Sequence, residues 1–172
     1  MTASPLTDIS GAISAFIAGA EVPATAIAKL TPEQLRARPI PGTWSIQEIV
    51  VHLWDSDLVG CDRMRRLAAM DNPLIMAYDE SEFNRALSPD RLDAHGAAEI
   101  FRLNRLLFGE ILKSLPAEAF ARSGVHNERG RITLGGTLSG YVEHLDGHMQ
   151  HLLKKRAMVA GHSVAPGSVG GR

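Results

Sequence analysis

Tyr141-Val142-Glu143-His144-Leu145-Asp146-Gly147-His148-Met149-Gln150-His151-Leu152-Leu153 is the stretch on which both the fold and the function of this 172-residue chain turn. It belongs to a helix expected from about Leu134–Thr137 to about Val159. At about 100° per residue, Thr137, Tyr141, His144, His148, His151 and Lys155 form one stripe. Leu138, Val142, Leu145, Met149 and Leu152 form the apolar face beside it. An apolar face of that length requires other helices to cover it. The histidines therefore border a core seam, where side chains from neighbouring helices converge. Their i, i+4 and i+7 spacing puts them one and two turns apart. Imidazoles spaced i, i+4 can share one divalent ion, and neutral imidazole is the commonest metal ligand. Two ligands do not close a site, so at least a third must come from elsewhere in the chain.

The remaining sequence supplies the partner helices. Residues 7–30 carry a helical apolar pattern (Ile9, Ile13, Phe16, Ile17, Val22, Ile27, Leu30). Thr31-Pro32-Glu33-Gln34 reads as a helix start, with Thr31 as cap, proline in the first turn and Gln34 closing a capping box. Ser45-Ile46-Gln47-Glu48 is a second capping box, with Trp44 placed to pack as its hydrophobic staple. The helix it opens runs to about Met70, with Ile46, Val50, Leu53, Trp54, Leu58, Cys61 and Leu67 as its apolar face. Residues 71–90 form a crossover with one helical turn near 79–87. A third long helix covers about 91–115, with Ile100, Leu103, Leu107, Ile111 and Leu115 expected as its core stripe. Residues 116–133 read as a short turn and an exposed loop, and no stretch alternates as a strand should. The expected architecture is all-α: one four-helix bundle over residues 1–160 with a long crossover and short extra helices. The Gly- and Ser-rich residues 161–172 are expected to be a disordered tail.

The second long helix offers the third ligand. His52 lies in a polar stripe with Glu48, Asp55, Ser56, Val59 and Arg63 on an otherwise apolar helix. Three imidazoles with an open position are the catalytic rather than the structural pattern. Asp55 could orient an imidazole N–H. The zinc-protease motif is absent, because Leu145 follows His144. A di-iron carboxylate bundle, a phosphate-binding loop and a nucleophile elbow are absent as well. Tyr78, Asp79 and Glu80 either edge the cleft or form a helix start capped by aspartate. His126 reads as a solvated loop residue, and His95 and His162 as incidental.

A net charge of −1 argues against nucleic acid and acidic membrane surfaces. No apolar run reaches the length needed to span a bilayer, and the N-terminus has no signal-peptide pattern. The single Cys61 precludes an internal disulfide, fits a cytoplasmic location and is expected to be inert core.

Four segments together resemble the DinB/YfiT-like superfamily, most closely its YfiT-like branch. They are Gly42-Thr-Trp-Ser-Ile-Gln-Glu-Ile-Val-Val-His-Leu-Trp-Asp-Ser56, Asn72-Pro-Leu-Ile-Met-Ala-Tyr-Asp-Glu80, His126-Asn-Glu-Arg-Gly-Arg-Ile-Thr-Leu134 and Tyr141-Val-Glu-His-Leu-Asp-Gly-His-Met-Gln-His151. The resemblance implies a four-helix bundle, often dimeric, with one divalent transition metal (zinc or nickel foremost) on His52, His144 and His148. His151 then lies just beyond the triad, in contact with the site rather than with the ion. The family's usual double histidine is broken here, since Gly147 precedes His148. The implied function is a metal-dependent thiol S-transferase or hydrolase of small molecules, with a low-molecular-weight thiol as co-substrate. Glu48, Asp55 or Tyr141 would move protons or orient the attacking group. The alternative is a non-catalytic metal- or ligand-binding bundle of the stress-response kind.

Overall fold

Two reciprocal caps set where the chain enters its helices. The Thr31 side chain accepts from the Gln34 N–H while the Gln34 side chain accepts from the Thr31 N–H. Ser45 and Glu48 repeat the arrangement, with Ser45 N–H donating to Glu48 Oε2 at 2.6 Å. Each box satisfies amide donors that a helix start leaves orphaned. The computed structural model describes residues 8–160. Its helices are α1 (Ile9–Ala18), α2 (Val22–Ile27), α3 (Pro32–Arg36), α4 (Ile46–Ala69), α5 (Glu80–Ala86), α6 (Ala94–Ser114) and α7 (Leu134–Ala160). Helix α4 packs against α6 and α7, and α1 closes the bundle against the same two. The fold is a four-helix bundle with short added helices, as the sequence leads one to expect. The tail expected at 161–172 lies outside the described residues.

The first helical stretch is broken rather than continuous. A 3-10 turn at Gly19–Glu21 separates α1 from α2, and Pro23 in the first turn of α2 has no N–H to carry the ladder through. A side chain at Gly19 would meet Leu145 at 2.6 Å, so the break also lets α1 approach α7. Contrary to the expectation that no run reaches that length, Ile9–Ile27 is long and apolar enough to cross a membrane by length and composition. It is a bundle element instead: Phe16, Ala20, Ala26 and Ile27 are buried in the core.

Helix α6 turns a different face inward from the one expected. Ile100, Leu103, Leu107 and Ile111 are exposed, Leu107 by 69%. The buried face is Ala97, Ala98, Phe101, Arg105, Phe108, Gly109 and Leu112. It has the same helical period, but a charge sits at its centre and hides it from a reading based on hydropathy. Arg105 is only 1% exposed and its Nε donates to Asp57 Oδ1 at 2.8 Å. Its Nη2 donates to the Tyr141 carbonyl, and its guanidinium lies against the Phe16 and Phe101 rings. Asn104 donates to the other Asp57 oxygen at 2.7 Å. One ion pair thus ties α1, α4, α6 and α7 together and separates two apolar clusters, one around Leu53, Phe101 and Leu152, the other around Phe16, Phe108 and Leu138. Cys61 is fully buried beside the pair, its thiol pushed up to about 12 by burial and by Asp57.

The segment 116–133 is a hairpin rather than a loop. Strands β2 (Ser123–His126) and β3 (Gly130–Thr133) pair antiparallel, and β1 (Leu74–Ile75) from the crossover joins β2 in parallel. Strands of two to four residues are too short to show alternation. Gly130 supplies the positive φ of 71° that the hairpin turn needs. Asn127 fastens the crossover to this sheet: its side chain accepts from Ala77 N–H at 2.7 Å, and its own N–H donates to Ile75. The little sheet therefore holds the crossover just ahead of α5.

Candidate metal centre

Helix α4 delivers His52 from its buried face, and α7 delivers His144 and His148 from successive turns. The three rings converge at tilts of 55–62°: His52 Nε2 lies 3.2 Å from His144 Nε2 and 3.2 Å from His148 Nε2. Trp44, immediately ahead of the α4 cap, stacks on His148 at 6.1 Å with ring planes 6° apart, and contacts His52 at 5.0 Å. A single imidazole N–H cannot serve two facing lone pairs with good geometry. Burial lowers the His52 pKa to about 3, helped by His148 and His144. It lowers that of His144 to about 4, helped by His148 and Arg105, and lowers His148 as well. All three are therefore neutral near pH 7 and present lone pairs to a common point.

The fourth member comes from the crossover. Glu80 Oε2 lies 3.7 Å from His52 Nε2, on a side chain 45% exposed. One ligand atom from each of His52, Glu80, His144 and His148 fits within 4.8 Å of all the others. Asp79 caps α5 by accepting from Glu82 N–H, which leaves Glu80 as the first helical residue beside the histidines. The two readings of Tyr78-Asp79-Glu80 are thus both realised, the cap by Asp79 and the cleft edge by Glu80. Burial raises the Glu80 carboxyl, partly offset by Arg129 and Arg63. The three neutral imidazole nitrogens, with the Glu80 carboxylate at the rim beside them, fit a divalent transition ion with an open position.

The other residues singled out from the sequence are dispersed around this cluster. Both Glu48 oxygens are engaged, one on the Ser45 N–H and one on Arg38 at 2.9 Å, so Glu48 serves as a cap and ion-pair partner. Asp55 shares the wall of a small cavity with His52 and Glu80, and burial raises its carboxyl. Among the described residues it makes no hydrogen bond to an imidazole. The Tyr141 ring lies 6.0 Å from that of His144, packs where Gly60 has no side chain, and its hydroxyl accepts from Arg63 at 3.3 Å. His151 is exposed and lies outside the four-residue cluster, on a cavity with Trp44 and His148. His126 is buried rather than solvated: its Nδ1 accepts the Glu128 and Arg129 N–H groups and shapes the hairpin turn.

Comparison with known proteins bears on the family and the fold. The chain is similar to YfiT of Bacillus subtilis, 27% identical over 136 residues that cover 77% of this chain and 76% of that protein. A protein of Oceanobacillus iheyensis is 26% identical over 123 residues, covering 72% and 71%. Both carry a provisional designation as metal-dependent hydrolases. The solved YfiT structure, described as a probable metal-dependent hydrolase with an unusual four-helix bundle topology, superposes with a TM-score of 0.84 at 21% identity over 93% of this chain and 92% of that one. A DinB-like protein of the same organism gives 0.65 at 17% identity over 92% and 97%. The profile of the DinB superfamily matches residues 20–152, and the chain belongs to that superfamily.

Proposed function

We propose that the chain is a mononuclear metal-dependent enzyme acting on a small molecule, with zinc or nickel held by His52, His144 and His148. The observation that carries this reading is the convergence of three neutral imidazoles, one buried and two half-buried, and one carboxylate within 4.8 Å. A bound divalent ion supplies Lewis acidity, which makes a nucleophile of water or a thiol near neutral pH. Glu80, beside His52 and open to solvent, accepts the proton that the nucleophile loses. Tyr141, whose hydroxyl accepts from Arg63 and also hydrogen-bonds with Ser56, lines the cleft beside His144 and orients the substrate there. Trp44 holds the His148 ring in register. With water the reaction is hydrolysis, and with a low-molecular-weight thiol it is S-transfer to an electrophile. The hydrolase designation of the relatives supports the first, and the family resemblance supports the second.

The test is metal analysis of tag-free protein followed by turnover assays. Stoichiometric divalent metal is expected, with metal-dependent consumption of an activated ester or, given bacillithiol, mycothiol or glutathione, of a generic electrophile. Protein that takes up no divalent ion after supplementation would sink the reading. Stoichiometric metal with no turnover would favour a non-catalytic binding bundle. The expected assembly is a homodimer, in which a second copy would cover Ile100, Leu103, Leu107 and Ile111 of α6.

A further inference from the structure

A cleft of about 290 Å³ opens beside the histidines and shares His144 and Glu80 with them. Its lining carries three arginines, Arg63, Arg129 and Arg131, against one carboxylate, that of Glu80. Six other arginines (Arg38, Arg66, Arg85, Arg102, Arg105 and Arg122) are neutralised by ion pairs. Among the described residues none of the three cleft arginines forms one, and Arg63 and Arg129 act on Glu80 only through space. Like charges gathered in a partly enclosed cleft repel one another and raise the local concentration of anions.

The arrangement is built from three separate elements. Arg63, on α4, is anchored by donating to the Met76 carbonyl at 2.7 Å and to Tyr141, while its buried Nε has no partner. Arg129 and Arg131 flank Gly130 in the hairpin, and Arg131 Nε donates to Ser123 at 3.2 Å. The first turn of the 27-residue α7 lines the same cleft through Gly136 and Thr137. Its amino end adds the partial positive charge of the helix dipole. Guanidinium groups match the planar fork of a carboxylate or the oxygens of a phosphoryl group.

We propose that this cleft binds the anionic end of the substrate, a small molecule bearing a carboxylate or phosphoryl group. Arg63, Arg129 and Arg131 orient it with its reactive atom toward His144 and Glu80. The orienting role rests on the histidine cluster being the reaction centre, whereas anion binding by itself does not.

Calorimetric titration of the metal-loaded protein with inorganic phosphate, and separately with succinate, tests this and distinguishes the two anion types. Saturable binding that weakens with added salt is expected. It falls at least about tenfold, or 1.4 kcal/mol, in the Arg129→Gln/Arg131→Gln protein. Those two positions are exposed on the hairpin, so unchanged metal content and melting temperature are expected for that variant. Equal affinity in wild type and the double variant, as direct coordination of phosphate by the ion would produce, overturns the proposal. So does the absence of saturable binding of either anion to wild type. Failure of the metal reading would register separately, as wild-type protein without metal that still binds the anion.

Discussion

Two buried polar clusters lie between the same helices and behave in opposite ways. In the first, Arg105 and Asp57 face each other at 1% and 2% side-chain exposure, and Asn104 and the Tyr141 carbonyl take up further groups. Charges cancel and donors meet acceptors. In the second, His52, His144 and His148 turn nitrogens toward one another with only the Glu80 carboxylate nearby. Lone pairs there outnumber protons. A closed polar cluster organises the fold, whereas an open one calls for a ligand.

The sharpest way to break this contrast is to remove a member of each cluster. His144→Ala should take metal content from stoichiometric to near zero and abolish turnover while leaving a folded protein, as read by elemental analysis and circular dichroism. A variant that kept its metal would show that the imidazole is not a ligand. Asp57→Ala should do the reverse. It strands a buried guanidinium, so the unfolding free energy should drop by about 3–5 kcal/mol, measured by urea denaturation, with metal per folded molecule unchanged. A loss below about 1 kcal/mol would mean that the pair is not the organising contact it appears in the bundle.

Acidification distinguishes the clusters more gently. His52 and His144 have folded-state pKa values of about 3 and 4, below the ordinary 6.5. The unfolded chain therefore takes up protons more readily, and stability rises with pH wherever it holds more of them. Metal-free protein should keep the full contribution above about pH 6.5 and lose it as the pH falls toward 4. Metal affinity should fall over the same direction, because protons compete for the ligands. A urea midpoint that stayed flat or rose from pH 7 to 5 would contradict the buried, neutral state of the cluster.

Two smaller effects concern the surroundings. Leu103→Glu/Leu107→Glu should shift a homodimer toward monomer in sedimentation without touching metal content; monomeric wild type would remove that expectation. Gly60→Ala should cost about 1–3 kcal/mol by overpacking, since a Cβ there would meet the Tyr141 ring at 2.4 Å. An unchanged melting temperature would show that the ring can move aside.

Much of the fold is legible in local chemistry. The boxes Thr31/Gln34 and Ser45/Glu48 form as their spacing implies, and α4 and α7 run close to their expected bounds. The failures have a common cause. The apolar stripe of α6 faces outward because the inward stripe contains Arg105, whose burial is tolerable only because Asp57, 48 residues away in sequence, compensates it. The strands and buried His126 escaped because each strand is stabilised by a partner rather than by its own pattern. Arg129 and Arg131 lie in a segment that carries the family resemblance, but nothing marked them as cleft residues, since a surface arginine in a hairpin looks the same whether it faces solvent or a cleft.

The helical periods, the caps and the pairing of His144 with His148 follow from the sequence alone, because they depend on neighbours within one or two turns. The convergence of His52 from a second helix was suggested by its polar stripe and by family resemblance. Its 3.2 Å approach, the arrival of Glu80 and the gathering of three arginines were decided only by tertiary structure. Those contacts join residues far apart along the chain. What brings them together is the packing of α4 against α7 and a three-stranded sheet that local propensity could not have announced.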